Sequence, residues 1–152
     1  MDNFYRRWSK QTLKDAYQYF GCHPEGNQTV FRVWAPGAEA VFVTGSFCNW
    51  NPHGFLMEES FPGIFTAAIP NVQEYDPYKY VICCNGQEQF KSDPFAVHAE
   101  TPPANASKVY SLEDYIWNDG KWMSRRNAAE GKPINLYEIH SGSFRTYADG
   151  EP

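Results

Sequence analysis

Val43-Thr44-Gly45-Ser46-Phe47-Cys48-Asn49-Trp50 is the stretch on which the fold turns. A β-branched run stops at a glycine, and a polar turn follows that holds a tryptophan with no apolar neighbour in sequence. The run predicts a strand and the tail predicts a turn. Further on, Tyr78-Lys79-Tyr80-Val81-Ile82 alternates. Tyr78, Tyr80 and Ile82 share one face, and Lys79 and Val81 share the other. A turn tryptophan and a strand-face lysine suit a sugar. The indole covers the C–H face of a pyranose, and the ammonium donates to its oxygens.

The same two-residue period recurs along the chain. Phe31 and Val33 align within Val30 to Trp34, and Ala35-Pro36-Gly37-Ala38 breaks that strand. Val41 and Val43 align within Ala40 to Val43. Phe65, Ala67 and Ile69 align within Ile64 to Ile69, before Pro70. Asn85-Gly86 predicts a hairpin turn leading into Glu88-Gln89-Phe90-Lys91. A last short strand is expected at Ser107 to Leu112. Short strands between Gly/Pro turns predict an antiparallel sandwich. Before it, Leu13, Ala16, Tyr17 and Phe20 fall at helical spacing, so residues 11–20 are expected to be a short helix ended by Gly21. Pro24-Glu25-Gly26-Asn27 reads as a turn.

After Leu112 the texture changes. Residues 113–122 are polar with spaced aromatics, an extended connector. Arg125 to Lys132 is a charged linker. Pro133 to His140 reads as one more strand, followed by the loop Ser141-Gly142-Ser143. A second domain is expected to begin there and to be cut off. The expected division is 1–27 as a helical lead-in, 28–112 as the sandwich, 113–132 as the connector and 133–152 as the start of the next domain.

The chain has 152 residues and a net charge of −5, which argues against a nucleic-acid partner. No apolar stretch is long enough for a membrane span, and the start has no secretory h-region. A cytoplasmic setting is expected if Met1 is the native start. Cys22, Cys48, Cys83 and Cys84 form no C-x-x-C pair, and His23, His53, His98 and His140 show no ligand spacing. Free thiols are expected, with no metal and no cofactor. The aromatic share of 17% serves both a β core and surfaces that stack on flat ligands.

Several segments together resemble the amino-terminal part of bacterial 1,4-α-glucan branching enzymes of glycoside hydrolase family 13. They are Ala16 to Pro24, Phe31-Arg32-Val33-Trp34-Ala35-Pro36, Gly45-Ser46-Phe47-Cys48-Asn49-Trp50, Lys91-Ser92-Asp93-Pro94-Phe95-Ala96, Trp117-Asn118-Asp119 with Trp122, and Tyr137 to Phe144. The turn around Trp50 is similar to that of carbohydrate-binding module family 48. The resemblance implies an immunoglobulin-like β-sandwich, mainly β overall, joined to the first strand of a (β/α)8 barrel. It implies a parent that moves α-1,4-glucan segments onto 6-hydroxyls, using two carboxylates on later barrel strands. Neither carboxylate is expected here, and Glu138 and Asp149 do not match them, so the chain should be non-catalytic. The implied partners are α-1,4-glucan (glycogen, maltooligosaccharides) and the parent's own barrel.

The implied glucan-binding residues are Trp50, Lys79, Phe90, Asn105 and Ser107. Trp50 matches the stacking tryptophan of the module and Lys79 its strand lysine. Phe90 stands where ligand-binding members often carry a second tryptophan, so stacking there is weaker. Asn105 and Ser107 belong to a loop placed to bond sugar hydroxyls. Trp50 as a plug of the sandwich end and Lys79 as a bare surface lysine stay open as alternatives. So do a purely structural domain that packs on the barrel and the equivalent domain of a debranching hydrolase.

Overall fold

The structure, a computed structural model, describes residues 2–112, 116–126, 133, 135–140 and 144. The chain divides into two compact units, Met1–Asp114 and Tyr115–Pro152. In the first unit, helix α1 (Asp2–Ser9) precedes nine strands: β1 (Gly21–Glu25), β2 (Gln28–Trp34), β3 (Ala40–Gly45), β4 (Phe55–Leu56), β5 (Glu58–Phe61), β6 (Ile64–Pro70), β7 (Pro77–Cys84), β8 (Gln87–Lys91) and β9 (Ser107–Lys108). One sheet has the order β1-β2-β6-β5, and the other has the order β4-β3-β7-β8 with β9 also on β7. All pairings are antiparallel.

The alternation in sequence maps onto the sandwich core. Phe31, Val33, Val41, Val43, Phe65, Ile69, Tyr78 and Tyr80 are buried between the sheets, with Ala67 and Ile82 packed against them. Each is the inward member of its strand, because neighbouring side chains point to opposite faces. The β7–β8 hairpin closes on Asn85 (φ 53°) and Gly86 (φ 69°), the left-handed pair that a two-residue turn requires.

Several expectations are corrected. Residues 11–20 form no α-helix, only a 3-10 turn at Ala16–Gln18. The apolar spacing there is not one face, since Phe20 is fully buried while Tyr17 is 58% exposed. The helix lies earlier, at Asp2–Ser9, where Phe4, Tyr5 and Trp8 present an aromatic face. Phe4 stacks on Tyr19, Tyr5 on Phe61, and Trp8 packs on Phe20. Pro24 and Glu25 belong to strand β1, so the turn is confined to Gly26-Asn27. Pro24 is tolerated because β1 is a sheet edge, where a missing N–H breaks no inner ladder.

The expected strand at Ser107 to Leu112 shortens to Ser107–Lys108. Val109 is still buried, bonded through its N–H to the Asp76 carbonyl (3.0 Å) rather than within a ladder.

In the second unit, Gly120–Met123 form a short helix, α2. Asn135 to His140 form no strand, and Leu136 and Tyr137 are 88% and 81% exposed. A strand buried on both faces needs neighbours to take its backbone groups, and among the described residues no ladder reaches this segment. Ile134, Ser141-Gly142-Ser143, Asp149 and most of the 125–132 linker lie outside the described residues.

Candidate functional site

The turn after β3 is built so that its tryptophan points outward. Gly45 ends the strand where a Cβ would stand 2.5 Å from the Pro77 carbonyl oxygen, so no larger residue fits. A 3-10 turn, Ser46–Cys48, follows. Asn49 and Trp50 are both left-handed, at φ 52° and 57°. Asparagine adopts that region readily, but a bulky indole there is an outlier that surrounding structure must hold. The Trp50 N–H donates to the Gly45 carbonyl (2.9 Å), and the Asn51 N–H to that of Cys48 (3.1 Å). The Ser46 hydroxyl donates to Asp76 (2.7 Å), and the Cys48 thiol sits 3.3 Å from the Gly45 nitrogen. The indole is 39% exposed and outside the core cluster, so it does not plug the sandwich. Backbone strain of this kind concentrates where a side chain must be presented to something.

Beside that turn runs β7. Gly45 pairs with Tyr78, and Thr44 with Lys79. Lys79 is half-buried, and its ammonium donates to Asn105 Oδ1 at 2.5 Å. It makes no ion pair among the described residues. Asn105 is held a second time, through its backbone carbonyl, by the Ser92 hydroxyl. The structure therefore joins two residues 26 positions apart in sequence that were singled out separately. The pair keeps two ammonium donors and the Asn105 amide NH2 for another partner.

The outer face of this sheet continues as an apolar row. Phe42 lies opposite both Leu56 and Val81, and Val81 opposite Phe90. Phe90 is 48% exposed and Val81 fully buried. The His53 ring packs 4.8 Å from Phe42 while its Nε2 lies 2.7 Å from Glu88 Oε1. That contact ties the Trp50 loop to strand β8, which carries Phe90. Sequence reading missed His53, and its position three residues after Trp50 was the one available signal.

Ser107 has another task. It is 2% exposed, and its hydroxyl accepts the Asp93 N–H at 2.8 Å. Its side chain fixes the loop from inside and does not reach the outer face.

Beneath this face lies a sealed polar cluster. Asp93 Oδ2 accepts the hydroxyls of Tyr78 (2.7 Å) and Tyr80 (3.0 Å), and Oδ1 accepts the Phe95 N–H (2.8 Å). Burial raises the Asp93 pKa, against the lowering effect of the Tyr78, Phe95 and Tyr80 donors. Burial, then neighbouring negative charge, pushes both tyrosines up. Cys22, next to Tyr78, is also raised by burial, so its thiol stays protonated. Asp93, Tyr78 and Tyr80 are shielded from solvent and have a structural role, and Cys22 is half-buried beside them. Among the described residues, no three His, Cys, Asp or Glu side chains could hold a metal, and no helix is long and apolar enough to cross a membrane. Glu138 is exposed in the irregular segment 135–140.

Comparison with known proteins shows the family and the fold. Residues 19–96, just over half of the chain, match carbohydrate-binding module 48 (isoamylase N-terminal domain). The 1,4-alpha-glucan branching enzyme GlgB of Fusobacterium nucleatum is 37% identical over 141 residues, covering 91% of this chain and 23% of the relative. That of Halothermothrix orenii is 42% identical over 144 residues, covering 90% and 23%. The chain thus spans about a quarter of the length of these relatives. Among solved structures, Bacillus subtilis pullulanase type I complexed with maltose superposes with a TM-score of 0.55 at 24% identity, over 64% of this chain and 14% of that one. Anoxybacillus pullulanase complexed with maltotetraose gives 0.56 at 22%, over 66% and 14%. At those identities the pullulanases share the fold.

Proposed function

The chain belongs to the carbohydrate-binding module 48 family, and from that premise we propose that the outer face of its β4-β3-β7-β8 sheet binds α-1,4-glucan. One observation carries the reading. Lys79 and Asn105 are hydrogen-bonded to each other, with donors left over, next to a turn that holds an exposed Trp50 in a left-handed conformation. Trp50 stacks on a glucosyl ring, Lys79 and Asn105 bond its hydroxyls, and Phe90 extends the apolar platform. Ser107 is left out because its hydroxyl is buried and already used.

The relatives support a parent activity. We infer that the module serves a glycogen branching enzyme, which moves α-1,4 segments onto 6-hydroxyls, and that residues 133–152 lead into its catalytic barrel. The chain itself contributes binding. Retaining glycosyl transfer needs two carboxylates about 5 Å apart across the scissile bond. Among the described residues, Asp93 is sealed under two tyrosines, and Glu138 is exposed in an irregular segment. The four cysteines are free, which suits the reducing cytoplasm where the proposed parent would work.

Sedimentation with glycogen tests the reading. The wild-type chain should co-sediment, and Trp50→Ala should co-sediment markedly less while keeping its urea midpoint. Equal sedimentation of both proteins would refute the assignment. Loss of fold in Trp50→Ala would mean that the ring is structural. The 152-residue chain should leave iodine-stained amylose unchanged.

A further inference from the structure

A second aromatic surface lies on the other sheet. The end of β2 and the C-terminal end of α1 enclose a cleft of about 460 Å3 lined by Tyr5, Trp8, Gln11, Leu13, Trp34 and Pro62. That volume is within the range of small-molecule sites, about 300–1,000 Å3. The Trp8 and Trp34 indoles meet at 5.5 Å and 78°, so one forms a floor and the other a wall.

The cleft is more than a by-product of helix packing. Phe4 is taken up by Tyr19 and Phe20, and Tyr5 by Phe61. Those contacts anchor α1, yet Trp34 stays 49% exposed. Neither the Trp34 indole N–H nor the Gln11 amide has a hydrogen-bond partner among the described residues. Gln11 is nonetheless fixed in place. It is left-handed at φ 55°, its N–H donates to the Trp8 carbonyl (2.9 Å), and the Thr12 N–H donates to that of Arg7 (2.9 Å). This closes the helix end in the manner of a C-terminal cap. The returning segment is tied down by Arg7 and Asp15 (2.9 Å).

The lining chooses the ligand class. No charged side chain lines the cleft, so an anion finds no counter-charge there. Two indole faces with neutral amide and N–H donors at the rim match a neutral sugar, whose ring is apolar on its faces and polar at its edge. We propose that this cleft is a second α-glucan subsite, separate from the Trp50 face, stacking a short glucosyl run on Trp34 against Trp8, with Gln11 bonding its hydroxyls. The choice of glucan over another neutral sugar rests on the reading of the Trp50 face. Two weak sites on opposite sheets would let one module hold two segments of a branched polymer, and the gain would come from effective concentration.

The test follows individual indole N–H resonances during a maltoheptaose titration of the 152-residue protein, its Trp50→Ala variant and its Gln11→Gly variant. Gln11→Gly removes the amide at a position whose φ favours glycine. Trp34 and Trp8 should shift saturably in Trp50→Ala as they do in wild type, and Gln11→Gly should weaken that response about fivefold. In the same titration Trp50 should respond equally in wild type and Gln11→Gly. A stationary Trp34 beside a responding Trp50 overturns the second subsite and leaves the first. A responding Trp34 beside a stationary Trp50 supports the cleft and overturns the first. If neither moves, both readings fall. A Trp34 response that Gln11→Gly leaves unchanged also overturns the proposed site.

Discussion

Strand β7 presents two chemically opposed regions one residue apart. Facing inward, Tyr78 and Tyr80 are fully buried and both donate to Asp93. Facing outward, Lys79 is half-buried and donates to Asn105, with donors to spare. Inside, the polar groups are saturated by one another, and no buried side-chain nitrogen or oxygen among the described residues lacks a partner. Outside, polar groups are positioned but unsaturated. The difference separates a polar cluster that specifies the fold from one that waits for a ligand. Polarity alone does not distinguish them, but leftover hydrogen-bonding capacity does.

The largest expected effect breaks the inner region. Asp93→Ala removes the acceptor of two buried hydroxyls and of the Phe95 N–H, which should cost about 3–5 kcal/mol. Urea unfolding would report this as a large drop in midpoint, and a change below about 1 kcal/mol would mean that the cluster is incidental to the fold. The outer region should respond in the opposite sense. Lys79→Met keeps the apolar stem and should leave stability within about 0.5 kcal/mol, while weakening maltoheptaose binding about three- to tenfold. Calorimetry of binding and unfolding on one sample would check both halves.

A pH series sharpens the contrast. The folded Asp93 pKa is raised above the ordinary 3.8, chiefly by burial. Its favourable contribution is therefore complete below the unfolded value and is lost as pH rises through the folded one. The urea midpoint of wild type relative to Asp93→Asn should fall as pH rises from about 3 towards neutrality. A rise over that window would show that the donors outweigh burial. The smallest expected effect is a gain: Phe90→Trp adds stacking area and an N–H donor to the platform, and should tighten glucan binding a fewfold. Unchanged affinity would place Phe90 outside the contact.

Strands β2, β3, β6, β7 and β8 were legible because their signal is local, whereas the short edge strands β4 and β5 were not. Alternation marks Phe31 and Val33, or Tyr78 and Tyr80, without reference to anything distant, and Asn85-Gly86 carries its own turn geometry. Helix α1 was not legible. Its Phe4, Tyr5 and Trp8 make sense only against Tyr19, Phe20, Phe61 and Trp34, and the helix is too short for its aromatic face to repeat. Strand β1 was hidden by Pro24, which an edge position permits. In the site, Trp50 and Lys79 stood out by type and setting. The Lys79–Asn105 bond and the capture of Ser107 by Asp93 span 26 and 14 residues, and no local pattern reports such pairs.

The outer face is proposed here as a glucan site organised by Trp50. Its most direct test is the indole N–H resonance of Trp50 itself, followed during addition of maltoheptaose. A saturable shift is expected with a Kd of roughly 10 μM to 1 mM, about −4 to −7 kcal/mol, since one stacking ring and a few solvent-competed hydrogen bonds support no more. Lys79→Met should saturate more weakly. A Trp50 resonance that stays fixed at maltoheptaose concentrations of about 10 mM, in a protein whose other resonances show it folded, would contradict the proposed site.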